Sequence, residues 1–137
     1  MRLGISNMAW ERSDDEQVAK LLQRFEIDAV DVVPGKYFEE PCKTTDREVA
    51  EVRTWWADRR VEITGMQALF FGKTGFNLFG SIEIQETMLQ HLAEMCRIAA
   101  GLDATKLVFG SPKNRDRSRE IPKSPPSREC GSSTIQR

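Results

Sequence analysis

The chain has 137 residues, of which 39% are hydrophobic and 30% charged, enough for one cored domain and too few for two comfortable ones. That balance excludes a membrane protein and a charge-dominated disordered chain, and no apolar run approaches the roughly 18 residues of a membrane span. Met1-Arg2-Leu3-Gly4 begins no long apolar signal segment, and Cys42, Cys96 and Cys130 lack CxxC spacing, so reduced thiols in a cytoplasmic protein are expected.

The net charge of −1 hides a division. Residues 1–110 hold 13 Lys/Arg and 18 Asp/Glu, a balance of −5, whereas residues 111–137 hold 7 and 3, a balance of +4. A basic segment of this kind can mark a nucleic-acid-binding tail. Here it lacks aromatic residues for base stacking, and nucleic acid ranks last among the partners.

In chain order, Leu3-Gly4-Ile5 reads as a short buried strand. Ser13-Asp14-Asp15-Glu16 has the spacing of a capping box, and Val18, Leu21, Leu22 and Phe25 behind it share one helical face. Ala29-Val30-Asp31-Val32-Val33 is a second strand, stopped by Pro34-Gly35. Thr45-Asp46-Arg47-Glu48 is another capping box, followed by Val49, Val52 and Trp56 on one helical face. A third strand is expected over 61–69, with Gly65 at a bulge or a tight backbone contact. After a loop through Gly80, Ser81 is placed to cap a third helix carrying Met88, Leu92, Met95 and Ala99, with Gly101 as its stop. Lys106-Leu107-Val108-Phe109 is the fourth strand.

Strands alternating with amphipathic helices predict an α/β fold of four parallel βα units over residues 1–117. From Ser118 the pattern gives way to three prolines, five serines and only two large aliphatic residues. This reads as a disordered tail over 118–137.

In such a sheet the loops leaving the C-terminal strand ends form the ligand face. These are the segments after Ser6, after Pro34, through Phe70–Gly80, and after Gly110, all richer in amides, aromatics, Lys and Arg than the opposite connections. Gly72-Lys73-Thr74 lacks the upstream glycine and the following helix of a phosphate loop and is a chance tripeptide. Lys113 and Arg115 can grip a phosphate or carboxylate, the alternative being two solvated charges. Trp10 is a candidate pocket wall. Trp55 and Trp56 read as packing residues, His91 as a surface residue and Glu11 as a solvated loop carboxylate. No Ser/His/Asp or Cys/His set, EF-hand loop or GxGxxG occurs.

Four blocks carry a family resemblance: Leu3–Trp10, Ala29–Phe38, Glu62–Gly72 and Leu107–Arg115. Together they resemble the N-terminal half of sugar phosphate isomerases/epimerases, whose fold is the xylose-isomerase-like TIM barrel. The resemblance implies half of a (β/α)₈ barrel and a small sugar or sugar phosphate as partner. By loop position it also implies a pocket wall of Asn7, Trp10, Lys36, Gln67, Ser111, Lys113 and Arg115. The family's divalent metal (Mg, Mn or Zn) assists proton transfer between adjacent sugar carbons, and its ligands stand on the later strands. No catalytic or metal residue carries over, and the isolated chain is expected to be inactive. The change near Ser118 reads as a truncation or frameshift. Half a barrel is expected to leave two sheet edges and an apolar inward face uncovered, a setting for self-association. The competing reading is a non-catalytic, flavodoxin-like ligand-binding domain. The two differ in strand order, 1-2-3-4 for the half barrel and 2-1-3-4 for the open sheet.

Overall fold

The computed structural model describes residues 2–118. Four strands, β1 (Gly4–Ser6), β2 (Ala29–Val32), β3 (Glu62–Met66) and β4 (Lys106–Leu107), alternate with three helices, α1 (Asp15–Arg24), α2 (Asp46–Ala57) and α3 (Ile82–Leu102). Every strand pair is parallel and the order is β1-β2-β3-β4. This is the order of consecutive barrel strands, and it excludes the 2-1-3-4 order of the flavodoxin-like alternative. The tail expected over 118–137 lies, from residue 119 onward, outside the described residues.

Successive right-handed crossovers in one direction send all the helices to one side of the sheet. There Val30, Val32, Ile63 and Met66 pack with Ala19 and Leu22 of α1, Val49 and Trp56 of α2, and Met95, Ile98 and Ala99 of α3. The opposite face departs from expectation. Register places Gly4, Ser6, Asp31, Glu62, Gly65 and Lys106 on it, together with the Thr64 hydroxyl, which donates to Asp31 Oδ1 at 2.9 Å. It is a polar, small-residue surface, not an apolar one. The strands are short enough that the alternation in β2 and β3 sends their large aliphatic side chains to the helix side.

Gly65 serves both roles expected of it. Val30 pairs with Ile63 but Asp31 with Gly65, so Thr64 is an extra residue in β3. A Cβ on Gly65 would stand 2.7 Å from Asp31 Oδ1 and 3.0 Å from the Lys106 carbonyl oxygen. The strand ends at Met66, short of Leu69, and Ala68 turns to a φ of 51°.

The Thr45 capping box forms in full: its hydroxyl accepts from the Glu48 amide while Glu48 takes the Thr45 N–H at 2.7 Å. The box expected at Ser13 does not form. Residues Arg12–Asp14 make a 3₁₀ turn, Asp14 becomes the N-cap, and Glu16 pairs instead with Arg59 at 2.6 Å. Ser81 is the N-cap of α3 without a side-chain bond to the backbone.

Gly101 is not the stop of α3. It lies inside the helix, where a Cβ would meet Val49 Cγ1 at 2.7 Å, so it allows α2 and α3 to approach closely. All three helices end by one device. Glu26, Arg60 and Asp103 take left-handed φ values of 55°, 59° and 63°. The following amide then reaches back six residues inclusive: Ile27 to Leu22, Val61 to Trp56 and Ala104 to Ala99, at 2.9–3.1 Å. These are Schellman closures without their usual glycine. Each left-handed non-glycine residue costs about 1 kcal/mol.

Two stability changes of opposite sign follow. Glu26→Gly relieves the left-handed strain and is expected to raise the urea midpoint, by about 0.5–1 kcal/mol in unfolding free energy. Gly65→Ala forces Asp31 and β4 apart and is expected to lower it by about 1–3 kcal/mol. Equilibrium denaturation followed by circular dichroism, with an unchanged slope, checks both.

Candidate functional site

A hydrogen-bonded hub sits at the C-terminal ends of β1 and β2. Asn7, in the 3₁₀ turn after β1, is 1% exposed, and its Oδ1 accepts the Val33 amide at 2.7 Å, just past the end of β2. Its Nδ2 donates to the Tyr37 hydroxyl at 3.4 Å, and Trp56 Nε1 donates to the same oxygen at 3.3 Å. That hydroxyl donates to Asp15 Oδ2 at 2.7 Å, while Trp10 Nε1 donates to Asp15 Oδ1 at 2.7 Å. The carboxylate of a buried aspartate at the start of α1 thus receives a bond on each oxygen, where the helix dipole also favours negative charge.

Lys36 belongs to the same hub. Its side chain is 8% exposed, and its ammonium donates to the carbonyls of Asn7 at 3.1 Å and Trp10 at 2.5 Å, with Glu11 at 3.7 Å. Glu11 itself is solvated, as its sequence position suggested. Three of the residues placed on the pocket wall, Asn7, Trp10 and Lys36, therefore come together, and they clamp the first two strand-end loops to each other. Asp15, Tyr37 and Trp56 complete the hub and were missed by sequence reasoning. Asp15 looks like an ordinary first-turn acid, and only its burial sets it apart.

The remaining wall residues stand elsewhere on the strand-end rim. Gln67 donates through Nε2 to Ser6 Oγ, joining β1 to β3 across the end of β2 on the bare face. Ser111, Lys113 and Arg115 are exposed in and beside the 3₁₀ turn Pro112–Arg115, where Arg115 donates to the Gly110 carbonyl at 3.1 Å. That turn is held by a residue the sequence did not single out. Asn114, 7% exposed, donates through Nδ2 to the Phe76 carbonyl at 2.8 Å and accepts the Leu78 amide at 2.8 Å through its own carbonyl. The long loop after β3 is thereby tied to the turn after β4.

His91 is half-buried rather than a surface residue. Its ring stacks on Phe70 at 5.2 Å between centroids, with Phe76 at 5.7 Å, and its Nε2 lies 2.7 Å from the Leu69 carbonyl. A loop folding back onto α3 turns what was the margin of the apolar face into its continuation. Trp56 is fully buried and Trp55 packs edge-on against it, as packing residues. Lys73 donates through Nζ to the Glu39 carbonyl at 3.3 Å.

A cleft of about 770 Å³ lies on the helix side between α1 and α2, with Tyr37, Phe38 and Trp55 as aromatic wall. Four of its acids have structural partners: Glu16 with Arg59, Glu40 with Lys43, Glu48 with Thr45 and Glu51 with Arg47. An acid-walled cleft repels an anionic ligand. No family model, curated protein or solved structure matches the chain.

Burial, followed by the bond to Asp15, pushes the Tyr37 phenol above its ordinary value. A raised native pKa means the folded chain holds this proton more tightly than the unfolded chain. The corresponding stabilisation is complete below the unfolded value of about 10 and is lost as pH rises through the native value. Tyr37 is the only tyrosine. Absorbance at the phenolate band is expected to stay flat through the ordinary tyrosine range, and then to rise together with loss of the circular dichroism signal. Chain unfolded in urea is expected to titrate normally. Tyr37→Phe, which leaves Asp15 short of a donor, is expected to cost about 1–3 kcal/mol by chemical denaturation.

Proposed function

We propose that this chain is a xylose-isomerase-like βα module that binds a small sugar or sugar phosphate at the strand-end rim of its bare face. In this reading the chain alone does not isomerise that ligand. One observation carries the reading: a parallel sheet in barrel order keeps one face free of helices, and that face is polar. Hydroxyls and amides such as those of Ser6, Thr64 and Gln67 suit the donor-and-acceptor surface of a polyol. Lys113 and Arg115, on the turn after β4, are placed to meet a phosphate, Arg in bidentate fashion.

The described residues do not fit the divalent metal that the resemblance implies. No three His, Cys, Asp or Glu side chains among them stand close enough to share an ion. Hard cations need several carboxylate or carbonyl oxygens, whereas beside Ser6, Thr64 and Gln67 stands the one carboxylate of Asp31, already bonded to the Thr64 hydroxyl. Binding and orientation of the ligand are what these residues supply.

Titration calorimetry against pentoses, hexoses and their phosphates tests this reading. Saturable binding is expected, weakened about tenfold by Gln67→Ala, the worth of one to two hydrogen bonds. Lys113→Ala with Arg115→Ala is expected to weaken only the phosphorylated ligands. Absence of saturable binding across the series, or binding indifferent to all three changes, would refute it. With Mg²⁺ or Mn²⁺ added, turnover by the chain alone is expected to stay at background.

A further inference from the structure

Among the described residues β1 bonds only to β2 and β4 only to β3, so each outer strand has one edge that they leave unpaired. The helices beside those edges are likewise not covered by the described residues. α1 meets the turn that follows α2 through Glu16 and Gln23, both bonded to Arg59. On the other side of its core stripe, Leu21 and Phe25 are 49% and 65% exposed, beside Leu3 at 60%. α3 meets α2 through Gly101 against Val49 and Arg97 on Asp46. On its outer side Ile82 and Leu89 are 70% and 69% exposed, and at the β4 edge Leu107 and Val108 are 38% and 50% exposed. The large exposed apolar side chains named here therefore gather on the two flanks where further βα units would pack.

We infer that a second copy of this chain covers these flanks, and that the pair closes into an eight-stranded parallel ring with β4 of each copy beside β1 of the other. Four features select this occupant. A two-fold axis along the strands brings a β4 edge to a β1 edge in parallel at both seams, so one pairing satisfies both free edges of each copy. Eight strands is also the count at which side chains fill a barrel interior. The seven exposed side chains amount to roughly 800 Å² per copy, the share each partner gives to a standard interface. Shape agrees along the helices: Leu21 and Phe25 near the C-terminal end of α1 lie level with the small, exposed Ala93, Cys96 and Ala100 of a neighbouring α3. Finally, the face that becomes the interior is polar and its charges cancel. Arg2 and Lys106 stand against Asp31 and Glu62, with Arg2 already 2.7 Å from Glu62.

Sedimentation equilibrium of the full chain across the micromolar range is expected to show a limiting species of twice the 15.6 kDa chain mass. Phe25→Glu and Leu89→Glu, one on each flank and each at a solvent-exposed position, are each expected to weaken association about tenfold or more by placing a charge in an apolar seam. Lys73→Glu, away from both flanks, is expected to leave it unchanged. In the wild-type chain, amide exchange over Leu3–Ser6 and Lys106–Val108 is expected to slow between dilute and concentrated samples. A monomer at every concentration overturns the inference. So does an open-ended ladder of oligomers, a dimer indifferent to both flank variants, or edge amides whose exchange does not change with concentration.

Discussion

The bond from the Val33 amide to Asn7 Oδ1 is the constraint on which the upper half of the molecule rests. A parallel strand pair has no hairpin to join its ends, and the first two strand-end loops here have only side chains to hold them together. One buried amide provides the join. Its Oδ1 receives the first N–H beyond β2, and its Nδ2 supports the Tyr37 hydroxyl. From that hydroxyl the network reaches Asp15 at the start of α1, Trp56 of α2 and, through Asp15, Trp10. Lys36 closes it from the other side by holding two carbonyls of the β1 loop. No buried side-chain polar atom among the described residues lacks a partner, so the hub is internally satisfied.

That arrangement separates two roles within one set of loops. The first two loops are bound to each other and face inward, so their polar groups maintain geometry. The later loops, after β3 and β4, are joined through Asn114 but leave Lys113 and Arg115 exposed. The proposed ligand contact therefore falls on the Gln67 and Pro112–Arg115 side of the rim, whose charged groups are the exposed ones. The bare sheet face beneath it carries polar and small residues because the parallel alternation places the large aliphatic side chains under the helices.

Strands and helices were legible because their signals are local. Ala29–Val33 is β-branched, Thr45 and Glu48 have capping-box spacing that the structure completes, and Gly65 marks a bulge that no other residue could occupy without displacing Asp31. The helix ends were not legible. A left-handed cap is ordinarily signalled by glycine, and Glu26, Arg60 and Asp103 give no such signal. Gly101, which resembles one, serves a helix–helix contact. Ser13 has the letters of a cap, but its segment winds into a 3₁₀ turn and Glu16 finds Arg59 forty-three residues away. His91 and Asn114 were misjudged or missed because their partners, Phe70 and Phe76, approach only when the long loop folds back.

The sequence by itself determined the alternation of strands and helices and the parallel class of the sheet, because these follow from periodicity and from the handedness of crossover connections. Only the tertiary structure decided that Asn7, Trp10 and Lys36 brace one another, that the uncovered sheet face is polar, and that Leu21, Phe25, Ile82 and Leu89 stand exposed on the two outer flanks. Each of those properties depends on which residues from distant segments share a face, a relation fixed by register and packing and carried by no single stretch of chain.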